Sequence, residues 1–173
     1  MGFARQESPA GFFYTMPEKD CYNKTIEALF SLRRFGIKLG LDTILRLLAG
    51  LGNPQDHFSI IHIAGTNGKG SVASSLTSIL HAAGYRVGLF TSPHLVKFNE
   101  RIQINKKSIS DNDVIHAYEA VKNVNPGTRE PTFFEYSTAM ALFGFAKQNV
   151  EWAVLETGMG DRKSTRLNSS HYS

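Results

Sequence analysis

Cysteine is nearly absent, Cys21 being the only one in the chain. A lone thiol excludes an internal disulfide framework and a cysteine-based zinc cluster, and it suits a reducing compartment. No apolar run approaches membrane-spanning length, and Met1 to Asp20 has neither the basic start nor the continuous apolar core of a secretion signal. These absences predict a cytoplasmic protein without membrane attachment. Strong charge is lacking too: the net charge is +4 over 173 residues, with no basic run interleaved with aromatics. A nucleic-acid partner is therefore not indicated. Half of that excess lies from Asp161 onward, where Arg162, Lys163 and Arg166 face a single acid. The 42% hydrophobic content is enough for the packed core of one α/β domain.

Glycine, by contrast, is present where it carries chemistry. Ile60, Ile61 and Ile63 read as a buried strand that stops at Gly65-Thr66-Asn67-Gly68-Lys69-Gly70-Ser71, with a helix opening at about Gly70. Glycines let a backbone approach a polyphosphate and turn successive N–H groups toward it, and the helix adds its unpaired N–H groups and dipole. Lys69 supplies a point charge for the outer phosphates and Ser71 a hydroxyl able to reach Mg2+. The spacing differs from the common G-x-x-x-x-G-K-[ST] pattern, since Gly70 separates the lysine from the serine. A glycine-rich turn that binds nothing needs neither residue, and this favours nucleotide binding.

In chain order, Met1 to Asp20 shows no period and reads as a loosely ordered arm, 1–21 in domain terms. A helix follows from Tyr22 to about Phe35, then a two-glycine connector over Gly36 to Leu41, then a helix capped by Asp42. Beyond the phosphate loop, Val72, Leu76, Ile79, Leu80 and Ala83 form one helical stripe that ends at Gly84. Arg86 to Thr91 is a second buried strand, predicted parallel to the first. Ligands sit beyond the carboxyl ends of such strands, which makes Ser92 and His94 candidates; a Ser-Pro turn with a surface histidine explains them equally well. Phe98 to Ile104 reads as a half-exposed strand, and Ser110 with Asp113 as a capping box for the next helix. Phe134, Thr138, Ala141, Leu142 and Phe145 form the inner stripe of a further helix. Trp152 to Glu156 is a third strand ending on a carboxylate followed by glycines, the usual place for a group that holds Mg2+, against the blander reading of a solvated strand end.

Four ordered motifs carry a family resemblance: Ala64 to Ser71, Thr91 to Leu95 leading to Glu100-Arg101-Ile102, Thr132-Phe133-Phe134-Glu135, and Val154 to Gly160. In this order they resemble folylpolyglutamate synthase and dihydrofolate synthase, relatives of the Mur ligases, from about Tyr22 to Gly160. The resemblance implies a phosphate-loop mononucleotide-binding α/β domain with a parallel sheet flanked by helices, the Mur ligase central ATPase domain, present here in part (22–160). It implies an ATP- and Mg2+-dependent ligase joining L-glutamate to dihydropteroate or folates through an acyl phosphate. It also implies small-molecule partners only and a monomer. By the same resemblance, Gly65, Thr66, Asn67, Gly68, Lys69, Gly70 and Ser71 cradle ATP, with Lys69 the catalytic charge. Ser92 and Glu156 are implied Mg2+ ligands, and Thr132 and Phe134, with Leu39, Gly40 and Leu41, substrate contacts.

After Gly160 the pattern departs from the family: Asp161 to Ser173 is polar and without period, resembling translated vector sequence, and His171 is no stand-in for a family metal ligand. The expectation is a truncated or chimeric chain with an open sheet edge, weak ATP binding and no ligase turnover. Other classes fit less well. A kinase or GTPase-like switch would have a longer loop spacing and no Thr-Ser-Pro-His-Leu segment. A Mur enzyme acting on a cell-wall precursor is disfavoured by Thr132 to Glu135, and a non-catalytic nucleotide-binding module would suit the chain length.

Overall fold

In the computed structural model, which describes residues 18–35 and 40–157, the sequence alternates helices and strands in the order the patterning predicts. Helix α1 (Glu18–Ser31) runs into a 3-10 turn (Leu32–Phe35) and is followed by α2 (Asp42–Gly50) and strand β1 (Ser59–Ile63). Next come α3 (Lys69–Ala82), β2 (Val87–Phe90), a 3-10 turn (Phe98–Arg101), β3 (Ile102–Ile104) and β4 (Lys107–Ser108). Helices α4 (Asp111–Lys122) and α5 (Phe133–Lys147) precede β5 (Trp152–Glu156). No helix among the described residues is long and apolar enough to cross a membrane.

The sheet order is β1-β5-β2-β3-β4. Strands β1 and β2 both pair parallel with β5, so they are parallel to each other as expected, but β5 lies between them. Strand β3 pairs antiparallel with β2, and β4 with β3, which makes the sheet mixed rather than wholly parallel. The β3–β4 turn is made by Asn105 and Lys106, both at positive φ.

The two faces are covered unequally. On one, α1, α2, α4 and α5 enclose the larger core, with Leu29, Leu47, Phe90, Phe98, Val114, Met140 and Phe145 fully buried. On the other, α3 packs through Ala73 against Val87, Leu89 and Val154. Alternation along β2 and β5 produces this split: Val87, Leu89 and Val154 face α3, while Phe90 and Ala153 face the larger core. Helix α5 is the centre of that core, buried at Tyr136, Ser137, Ala139 to Leu142 and Phe145.

Several expectations change. Residues 18–21 belong to α1, so the predicted arm is helical at its end; residues 1–17 lie outside the described residues, as do 36–39 of the connector and 158–173, the stretch read as a polar tail. The N-cap of α2 is Leu41, and Asp42 is the first helical residue, where its carboxylate favours the dipole without a capping bond. Strand β1 is not buried: it is an edge strand, and Ile60 is 42% exposed. The predicted stripe on α3 is displaced, because the helix meets the sheet through small Ala73 and Thr77, with Leu76 and Leu80 beside them, leaving Val72 and Ile79 turned outward. Phe98–Arg101 is a 3-10 turn instead of a strand, and Arg101 is buried because its side chain folds inward onto His94 and Phe133. Phe134 leaves the inner stripe of α5: it occupies the first turn, beyond the packed part of the core, and is 39% exposed.

Candidate phosphate-binding site

Because β1, β5 and β2 run parallel, the segments that follow them meet at one edge of the sheet. After β1 comes the glycine-rich loop, after β5 comes Thr157, and after β2 comes the segment Thr91 to Lys97. Thr157 fastens two of these together: its N–H and hydroxyl both donate to the carbonyl of Ile63, at 2.9 and 2.6 Å. In the sequence, the signal for Thr157 is its place directly after the acidic strand end.

The loop is shaped by two glycines in backbone conformations that other residues avoid, Gly65 at φ +150° and Gly68 at φ +76°. Gly68 is the N-cap of α3, so helical N–H groups begin at Lys69, one residue earlier than predicted. Thr66, Asn67, Gly70 and Ser71 are exposed around this opening. The ammonium of Lys69 turns back over the loop and donates to the carbonyl of Gly65 at 2.6 Å.

Glu156 is no solvated strand end. It is 9% exposed, and its Oε2 accepts from the N–H of Ser92 at 3.2 Å. The same oxygen lies 3.8 Å from where a Cβ on Gly70 would stand, which puts the carboxylate against the first turn of α3. No lysine or arginine pairs with it among the described residues. The glycine-rich loop, Ser92 and Glu156 are thus brought together, although Glu156 lies 64 residues beyond Ser92. Among the described residues no group of three or more His, Cys, Asp or Glu could hold a metal alone.

The segment after β2 is braced throughout. Glu100 accepts from the N–H groups of Leu95, Val96 and Lys97, and the bonds from Lys97 and Leu95 in particular hold its carboxyl below the usual range. His94 accepts at Nδ1 from Nε of Arg101 at 2.7 Å, and its ring stacks on Phe30 with centroids 5.8 Å apart. Burial, then the nearby guanidinium groups of Arg101 and Arg33, push the pKa of His94 down, against a smaller opposing effect from Glu100.

The predicted substrate contacts are placed less directly. Thr132 is the N-cap of α5, and its hydroxyl is committed to Glu135, accepting from the N–H and donating to Oε2. Glu135 in turn is paired with Arg129. Phe134 presents part of its ring to solvent and lies 6.0 Å from Phe90, the last residue of β2, so it faces the same sheet edge. Gly40 and Leu41 precede α2, with Leu41 68% exposed and its carbonyl accepting from Leu45 N–H. Leu39 lies outside the described residues. A cavity of about 260 Å3 lined by Ile104, Ala117, Met140 and Phe143 sits against α4 and α5 and contains none of the predicted site residues.

No protein-family model matches the chain. It is similar to the dihydrofolate synthase/folylpolyglutamate synthase of Bacillus subtilis, with 42% identity over 137 residues, 75% of this chain and 31% of that protein. The fold is similar to the crystal structure of folylpolyglutamate synthase from Thermotoga maritima, with a TM-score of 0.76 and 44% identity, over 83% of this chain and 34% of that one. It is also similar to the bifunctional folylpolyglutamate synthase/dihydrofolate synthase of Yersinia pestis complexed with AMPPNP and Mn, with a TM-score of 0.75 and 31% identity, over 84% and 35%. The chain spans about a third of the length of these relatives. Over the stretch they share, the chain is similar to proteins of the folylpolyglutamate synthase and dihydrofolate synthase family.

Proposed function

We propose that this chain supplies the phosphate-binding part of an ATP-dependent ligase that joins L-glutamate to dihydropteroate or folates. The observation that carries the reading is Glu156: a buried carboxylate without a cationic partner among the described residues, set between the Ser92 N–H and the start of α3. Buried carboxylates are normally paired, and a hard divalent cation suits an oxygen donor at that place. The residues present therefore fit Mg2+ held by Glu156 and Ser92 beside a nucleotide, its remaining ligands being phosphate or water oxygens.

Bound ATP would supply the phosphoryl group that turns the acceptor carboxylate into an acyl phosphate, from which the glutamate amine displaces phosphate. The protein's part in this is positioning and electrostatics. N–H groups of Gly65 to Ser71 would receive the phosphates at the positive end of α3, and Lys69 would exchange the Gly65 carbonyl for phosphate oxygen as its acceptor. Phe134 offers an accessible aromatic face at the same edge for a pterin ring, with Thr132 setting its orientation through the α5 cap. Leu39, Gly40 and Leu41 complete the proposed substrate contacts. We assign 22–160 to this ligase domain and place the protein in the cytoplasm with small-molecule partners.

Calorimetric titration of the full chain with AMPPNP and Mg2+ tests the reading. The wild-type chain is expected to bind weakly, and Lys69→Met to weaken binding by a further roughly 10- to 100-fold, the equivalent of one charge-assisted phosphate contact. A wild-type chain that binds no nucleotide, or a Lys69→Met chain that binds equally well, rejects it.

A further inference from the structure

Arg101 is 5% exposed, yet no carboxylate pairs with its guanidinium among the described residues. Its hydrogen-bond acceptor is a neutral one, Nδ1 of His94, and its Cζ lies 5.1 Å from the ring centroid of Phe133. Accepting at Nδ1 fixes His94 as the tautomer with its proton on Nε2. The ring is held in that orientation by stacking on Phe30 and by an edge contact with Phe98 at 6.3 Å. The backbone of Arg101 holds the same segment a second time, because its carbonyl accepts from the N–H of Thr91 at 2.9 Å.

These two contacts fall on Thr91 and His94 and so bracket Ser92, whose N–H meets Glu156. We infer that Arg101 is a positioning residue, which acts through Thr91 and His94 to fix Ser92 against Glu156 and so sets the cation half of the proposed nucleotide site. The inference rests on the nucleotide reading above. Charge explains the choice of partner. A carboxylate in place of His94 would add an anion two residues from Ser92 and compete for the divalent ion, whereas an imidazole accepts the same hydrogen bond without one.

The test uses the full 173-residue chain, uniformly 15N-labelled, with His94→Phe, which keeps a stacking ring and removes the acceptor, and Arg101→Met. Wild-type imidazole 15N shifts should show Nδ1 unprotonated. In both variants Ser92 amide exchange should accelerate while the amides of Leu89 and Val154 remain protected, as expected for a local loss. Affinity for AMPPNP with Mn2+ should fall roughly tenfold or more, the usual cost of losing an outer partner of a metal ligand. Affinity for AMPPNP without a divalent ion should be unchanged. If Arg101→Met fails to fold, His94→Phe alone decides. Normal wild-type binding with unaltered Ser92 exchange and Mn2+ dependence in His94→Phe would overturn the positioning role and leave the nucleotide reading standing. A wild-type chain that binds no nucleotide would overturn both.

Discussion

A carboxylate that is 9% exposed and lacks a cationic partner among the described residues departs from the usual pairing of buried charges, and Glu156 is in that position. Glu156→Gln keeps the shape and the acceptor for Ser92 N–H while removing the charge. Stability to urea is therefore expected to be unchanged or to rise by up to about 1 kcal/mol, because the neutral amide is cheaper to bury. Mn2+ affinity in the presence of AMPPNP is expected to fall on the order of tenfold or more. A stability loss of about 3 kcal/mol with unchanged Mn2+ affinity would mark Glu156 as one half of a structural pair instead. His94 gives a separate test in pH. Its pKa is lowered from 6.5 on folding, by burial first and then by Arg101 and Arg33, so the folded state prefers neutral imidazole. Its contribution to stability is thus complete above about pH 6.5 and lost as pH falls through the lowered value. Urea unfolding from pH 8 to 5 should show the wild type losing stability relative to His94→Phe only in the acidic half. Parallel curves would mean that the histidine does not sense its guanidinium neighbours.

At the scale of elements, β2 and α5 pack closely where they cross. A Cβ added at Gly88 would stand 2.7–2.9 Å from three ring atoms of Phe145, a fully buried side chain that cannot swing away. Gly88→Ala is expected to cost about 1–3 kcal/mol, the range for overpacking a filled core, measured by urea unfolding. Phe145→Leu in the same background should recover part of the loss. No loss in Gly88→Ala would mean that α5 stands farther from the sheet. This contact was not legible in the sequence, since nothing in Val87-Gly88-Leu89-Phe90 says which aromatic lies over the glycine. Elements whose signal is local were legible: the Ser110–Asp113 box caps α4 as read, Gly84 ends α3 at φ +92°, and β5 has the predicted bounds. So was the meeting of the glycine-rich loop, Ser92 and Glu156, because parallel strands bring their following segments to one edge. What failed depended on neighbours distant in the chain. Strand β1 reads as buried from its three isoleucines, but its exposure is decided by lying at the end of the sheet order. Likewise, the burial of Arg101 depends on His94 and Phe133, which no periodicity identifies.

Taken whole, the molecule is uneven from one sheet edge to the other. The β4 edge is two residues long and carries Lys107 beside the Lys106 turn, features that discourage strand addition. The β1 edge has five residues and no Lys, Arg, Asp, Glu or Pro, and β5 is its only partner strand among the described residues. Ile60 on β1, with Val72 and Ile79 on the neighbouring α3, adds apolar surface exposed by 42%, 49% and 64%. An unprotected edge beside exposed apolar side chains is a template for pairing with a second chain. The match to relatives covers about a third of each, so their longer chains need not leave this edge bare. The full 173-residue chain is therefore expected to self-associate with rising concentration in sedimentation velocity. Ile60→Lys places a charge on the open edge without entering the core, and should shift the distribution toward monomer while leaving the unfolding midpoint within about 0.5 kcal/mol of wild type. A charge reversal on the far side, Lys107→Glu, should leave self-association unaltered, because that edge is already protected. If the wild-type chain sediments as a monomer throughout, or if Ile60→Lys and Lys107→Glu behave alike, then the β1 edge is covered from within the chain and the asymmetry has no bearing on assembly.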